Sequence, residues 1–189
     1  MAKNKVEFGL SNVHVGTYTE SGGTVTLGDP VHIPGAVSLT MEAQSEEYKF
    51  FADDMIYYSD FSDNGETGEL TMALFPDTFK TEYLGYATLD DGGVAKIKGA
   101  PTKSMYLVFE GKGDANKRRH ILYNVTPGQI KRERRTIAES KEVETEVLPV
   151  SLVGDNSTGI VKVSYNEGDT GYAALITTPP TPTLPAVSP

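Results

Sequence analysis

Met105-Tyr106-Leu107-Val108-Phe109, then Lys112-Gly113-Asp114-Ala115-Asn116, then Ile121-Leu122-Tyr123-Asn124-Val125, reads as two short strands on either side of a tight connection. Both apolar runs are short and rich in aromatic or β-branched side chains, and the Gly, Asp and Asn between them supply the backbone conformations a turn needs. The same rhythm extends outward in both directions. Val31–Met41, Met55–Phe61 and Leu70–Leu74 precede this pair, and Val147–Val153, Ile160–Tyr165 and Tyr172–Ile176 follow it. Asn64-Gly65, Asp91-Gly92-Gly93, Asp155–Gly159 and Asn166–Gly171 read as the intervening turns. A largely antiparallel sheet system is expected.

One helix interrupts the strands. Pro76 suits a first-turn position, Asp77 suits the positive amino end, and Phe79 and Tyr83 fall four apart on one face. Gly85 then sits where helices end. Phe79, Tyr83 and Leu84 are expected to pack on the sheet. Gln129–Glu146 is ambiguous: its Lys, Arg, Glu and Ala favour a helix, whereas Thr136, Ile137, Val143, Thr145 and Val147 favour strands. Neighbouring turn signals tilt the reading toward two strands.

The 189 residues suit one main domain with a single core. Residues 1–176 are read as that β domain. From Thr177 to Pro189 the chain has five prolines and no charged side chain, so this segment is read as a flexible proline-rich tail, the alternative being an arm that docks on a neighbour. Without cysteine, disulfides, thiolate metal ligands and cysteine nucleophiles are excluded. No secretory or membrane-spanning stretch is legible, and the chain is read as soluble and made inside a cell.

Candidate chemistry is sparse. His14, His32 and His120 are far apart and in no metal-binding spacing, so they are read as hydrogen-bonded structural residues. The sequence contains no nucleophile elbow, phosphate loop or dinucleotide fingerprint. Asp60-Phe61-Ser62-Asp63-Asn64-Gly65 begins like a calcium loop, but the twelfth position is Thr71 where a bidentate glutamate is required, and a hairpin turn accounts for it better. No catalytic, metal or cofactor site is assigned, and the chain is not read as an enzyme.

Charge is the feature that points to function. Glu42–Glu69 carries nine carboxylates against Lys49 alone, whereas Lys117–Arg135 carries seven cations against Glu133 alone. Two blocks of opposite sign on one domain suit a surface that meets copies of itself, because complementary potentials steer and register association. A solvated acidic face is the plainer alternative. The net charge of −9 and a pI near 4.8 disfavour tight nucleic-acid binding, since phosphate neutralisation by Lys and Arg supplies most of it.

Several blocks carry a family resemblance. Gly9-Leu10-Ser11-Asn12-Val13-His14, the run Pro30–Leu39, Lys49-Phe50-Phe51-Ala52-Asp53-Asp54, Asn64–Leu70, Ala73–Phe79 and Lys117–Asn124 occur in an order and spacing that resemble the major tail proteins of long-tailed, non-contractile bacteriophages. The resemblance implies a tail tube subunit of a virion: an antiparallel β-sandwich or barrel with one short flanking helix, forming hexameric rings that stack into a hollow tube. Implied partners are ring neighbours and stacked rings of the same chain, with tape-measure and distal or terminal tail proteins. DNA would be a passing, repelled cargo, with no membrane involved.

On that reading, Glu42, Glu46, Glu47, Asp53 and Asp54 lie in a long region between sheet segments that would form an inter-ring loop. Arg118, Arg119, Arg132, Arg134 and Arg135 are its candidate complements, arginine being the better interfacial cation. Two alternatives stand beside it. Another ring-forming virion component, at the head–tail joint or distal tail, would stop at a single ring. A carbohydrate-binding module normally shows aromatic platforms, for which this tryptophan-free chain offers Tyr57, Tyr58 and Tyr83.

Overall fold

Period-two alternation sorts the central side chains onto two faces. The computed structural model describes residues 9–112, 117–133 and 144–184. Its elements in chain order are β1 (Leu10–Ser21), β2 (Thr24–Leu27), β3 (Val31–His32), β4 (Ala36–Ala52), β5 (Met55–Met72), α1 (Asp77–Tyr83), β6 (Tyr86–Thr88), β7 (Val94–Lys96), β8 (Met105–Gly111), β9 (Arg119–Pro127), β10 (Lys131–Arg132), β11 (Glu146–Leu152) and β12 (Lys162–Tyr165). In β8, Met105 and Leu107 enter one apolar cluster, while Tyr106 and Val108 enter another on the opposite face.

All pairings are antiparallel, and the main sheet runs β2-β1-β8-β9-β11-β5-β4. β3 pairs with β1, and only Ile33-Pro34-Gly35 separates it from β4, so β3 and β4 act as one bent strand that carries the sheet from β5 back to β1. The bend has a local cause, because proline cannot donate to a ladder and Gly35 adopts φ 91°. The result is a barrel. Val15, Leu70, Met72, Leu107, Leu122 and Leu148 fill it.

The helix packs into the same cluster through Phe75, Phe79, Tyr83 and Leu84. Phe79 stacks on Phe75 with ring centroids 5.0 Å apart and meets Tyr83 at 5.1 Å. Pro76 precedes its first residue, and Gly85 follows at φ 69°. The expected helix, its glycine terminator and its buried face are present, with Pro76 as the N-cap rather than in the first turn.

The second cluster lies outside the barrel wall. Tyr18, Tyr106, Val108, Ile121 and Tyr123 are covered there by Leu175, from a 3-10 turn at Ala174–Ile176. That turn corrects the strand expected at Tyr172–Ile176: the segment is anchored by its side chains rather than by a ladder, with the Arg119 guanidinium 4.0 Å above the Tyr172 ring. The proline-rich segment expected to be free from Thr177 onward is held over residues 177–184. Pro179 and Pro182 are buried, and Tyr123 Oη donates to the Pro180 carbonyl at 2.8 Å.

Other expectations need correction. Val31–Met41 is split by Pro34-Gly35, whereas Met55–Phe61 and Leu70–Leu74 fall in or beside one uninterrupted strand, β5. Asn64-Gly65 is therefore not a turn. Within Gln129–Glu146 the structure shows β10 and the first residue of β11, and residues 134–143 lie outside the described residues. The Asp91-Gly92-Gly93 turn joins β6 to β7, with Leu89 N–H donating to the Gly93 carbonyl at 2.8 Å.

Candidate assembly surface

β4 and β5 form a hairpin longer than the barrel that holds it. In its basal half, Glu66–Met72 of β5 pairs with Glu146–Leu152 of β11 on one side and with β4 on the other. β11 ends opposite Glu66. From there Ser45–Ala52 and Met55–Asp63 pair only with each other among the described residues, as a two-stranded arm reaching roughly 25 Å at the usual rise per residue.

The exit of the arm is set by a bulge. Register slips between Ala43 and Ser45, so Asn64 and Gly65 together face Gln44, and Gly65 takes φ 85°. A Cβ on Gly65 would clash with the Leu152 carbonyl oxygen. The Asn-Gly signal thus marks the point where the arm leaves the barrel wall. The reversal itself is Asp53-Asp54, with φ 52° and 57°, closing the pair Ala52 and Met55. Two left-handed residues fit the twist of a two-residue hairpin, and aspartate tolerates that region better than most side chains.

Sequence reading placed Glu42, Glu46, Glu47, Asp53 and Asp54 in a loop. Glu42, Glu46 and Glu47 are instead in β4, and the two aspartates form the tip. All five are exposed. Glu47 pairs with Lys49 at 2.7 Å, and Asp60 accepts the Tyr58 hydroxyl at 2.8 Å, which raises the Tyr58 pKa.

What the sequence reading missed is that the apolar side chains of this arm stay exposed. Tyr48, Phe50, Phe51, Met55, Ile56, Tyr57, Tyr58 and Phe61 are all about half exposed or more, reaching 72% at Tyr57. Directly opposed residues share a face. Phe50 opposes Tyr58 and Phe51 opposes Ile56, so large apolar groups occupy both faces of the ribbon. A ribbon of two strands is marginal alone in water, and its open edges and apolar faces both invite a partner. The long run Ser45–Asp63, rich in aromatic residues and unbroken by Gly or Pro, was the available signal.

The candidate cations have differing surroundings. Arg119 is mostly buried and turned inward: Nε meets Glu110 Oε1, which also accepts Asn12 Nδ2, and Nη1 donates to the Tyr172 carbonyl at 3.0 Å. Arg132 Nε lies 2.7 Å from Glu146 Oε1 without directing an N–H at it, so charge is balanced there but no hydrogen bond is formed. The other Glu146 oxygen accepts Phe75 N–H at 2.8 Å. Arg118 is half-buried. Arg134 and Arg135 lie outside the described residues.

Beside the arm, the outer wall of β4, β5, β11 and β9 is scooped into a shallow groove of about 580 Å³. Thr40, Thr67, Thr126 and Ser151 line it with hydroxyls, and Glu42 and Glu69 add carboxylates. Lys131 Nζ meets Glu69 at 2.8 Å. The groove is open and of mixed lining, with Pro127, Pro149 and Val150 beside the hydroxyls and carboxylates, whereas the arm is apolar and projecting.

No protein family matches the sequence, and no curated protein matches it. Among solved structures, similar chains occur in the extended sheath–tube complex of an extracellular contractile injection system (10% identity, 86% of this chain and 93% of that chain, TM-score 0.47). Others occur in the tube-terminating cap of the anti-feeding prophage (11% identity, 88% and 95%, TM-score 0.48) and in its baseplate (10% identity, 89% and 99%, TM-score 0.45).

Proposed function

We propose that this chain is a structural subunit of a viral tail that polymerises as stacked, hexameric rings into a tube for DNA delivery, with the β4–β5 arm reaching onto the next ring. The observation that carries the reading is the arm, a projecting ribbon with large apolar side chains exposed on both faces. Burial stabilises association by about 25 cal/mol per Å² of apolar surface, so a cluster of exposed aromatics gains most from a partner. Its carboxylates would add register by meeting cations of the neighbouring copy, with Arg118 and Arg132 the described candidates. Arg119 would support the wall from within. Tape-measure and distal tail proteins would meet the ends of the tube, and the overall negative charge would let DNA pass without sticking.

The test is negative-stain electron microscopy of the full chain across protein concentration, beside the double variant Phe51→Ser and Phe61→Ser. Long hollow tubes from the wild type and folded single particles from the variant are expected. Wild-type protein that stays monomeric at every concentration would overturn the proposal. Rings that never stack would replace the tube by a joining or distal component.

A further inference from the structure

A pair of imidazoles stands where the bent strand returns to β1. His14 of β1 is directly opposite His32 of β3, a strand of only two residues. The adjoining pair, Val13 and Ile33, is joined by a backbone hydrogen bond of 2.8 Å from Ile33 N–H to the Val13 carbonyl. His14 and His32 are therefore the non-hydrogen-bonded pair, in which opposed side chains approach most closely.

The rings are close and tilted rather than stacked. Their centroids are 5.0 Å apart and their planes are tilted by 52°. Two imidazoles bound to one ion at about 2.1 Å, at a near-tetrahedral angle, have centroids about 5 Å apart. His14 Nδ1 lies 3.0 Å from the Asn12 carbonyl oxygen. A carbonyl only accepts, so Nδ1 carries the proton and Nε2 keeps its lone pair. This is the second bond that orients metal-binding histidines. Burial lowers the His14 pKa; the Asn12 carbonyl pulls the other way, His32 lowers it further, and Glu110 and Arg119 act weakly in opposite senses.

We propose that His14 and His32 form a two-histidine site for a divalent transition-metal ion such as Zn²⁺, which pins β3 to β1 at the seam of the barrel. Among the described residues no cluster of three His, Asp or Glu ligands occurs, so water completes the coordination and affinity falls below that of a four-ligand structural zinc site. His32 is exposed and gives the ion access. His120 stands apart, with Nδ1 2.7 Å from Ser164 Oγ and its ring stacked on Phe109.

Calorimetric titration of the tag-free full chain with ZnCl₂, with thermal unfolding at each ratio, tests the site. One Zn²⁺ per chain and a Tm raised by a few degrees at saturation are expected. His32→Gln should weaken binding at least about tenfold and remove the Tm rise, while His120→Gln keeps both. His14→Asn should behave like His32→Gln, but His14 is buried, so the exposed His32 decides if the His14 variant fails to fold. Absence of stoichiometric binding to the wild type, or undiminished binding to His32→Gln, overturns the site. Neither outcome depends on whether the chain assembles.

Discussion

Asp155 shows what a single buried charge does here. It is 1% exposed and accepts hydrogen bonds from the Tyr18 hydroxyl at 2.9 Å, Ser157 Oγ at 2.8 Å and Thr158 N–H at 2.7 Å, with Thr158 Oγ1 also bound to it. Burial opposes its ionisation, but the bonds from Thr158, Ser157 and Tyr18 outweigh it and hold the pKa at about 2. A folded-state pKa below the usual carboxylate value contributes stability that is complete above about pH 4 and lost as pH falls toward 2. The shift corresponds to something on the order of 2 kcal/mol. Asp155→Ala should therefore lower stability at pH 7 by at least that much, since it also strands the buried Tyr18 hydroxyl. Urea unfolding at pH 7 and pH 2 checks this: the gap between wild type and variant should narrow at the lower pH, and an equal gap at both would mean that the charge contributes nothing.

At the scale of elements, the carboxyl-terminal segment acts as a strap. Leu175, Pro179 and Pro182 are buried, and Tyr123 gives its hydroxyl proton to the Pro180 carbonyl, so cutting the chain after Thr178 exposes part of the outer core and orphans that hydroxyl. Truncation should lower the Tm by about 5 °C, whereas a freely moving tail would leave calorimetric melting unchanged. Proline composition alone could not distinguish these cases, because proline packs well wherever no backbone donor is needed. The same limit explains which strands were legible. β8, β9 and β11 announce themselves as compact apolar runs. β1 does not, since Asn12 and Gly16 interrupt it for tertiary reasons: Asn12 adopts φ 54° beside a register shift, and Gly16 leaves room for the Tyr106 side chain, whose hydroxyl and ring edge a Cβ would strike. Asn64-Gly65 was legible as a left-handed position but not as a bulge, because the residue facing it lies in another strand. The acidic residues of the candidate surface were visible as charge, while the exposure of Phe51, Tyr57 and Phe61 depends on β11 ending at Leu152. His14 and His32 meet only because the bent strand returns to β1.

For the whole molecule, the arm combines two forces with different ranges, and salt separates them. Exposed charges more than about 10 Å apart are screened at 0.1 M ionic strength, whereas apolar burial is not weakened by such screening. If the carboxylates of the arm steer one copy toward cations of the next, raising salt should slow assembly while leaving the final amount of polymer nearly unchanged. Reversing Glu46→Lys and Glu47→Lys together should then slow assembly at low salt, and the difference from wild type should shrink as salt rises. Light scattering after a jump in protein concentration reads both rate and plateau. A variant that assembles at the wild-type rate at low salt would reduce the acidic stretch to a solvated face and leave the aromatics to carry the contact. A variant whose plateau falls equally at every salt concentration would place the two glutamates inside the packed interface, where each charge needs a direct partner and ionic strength can no longer reach it.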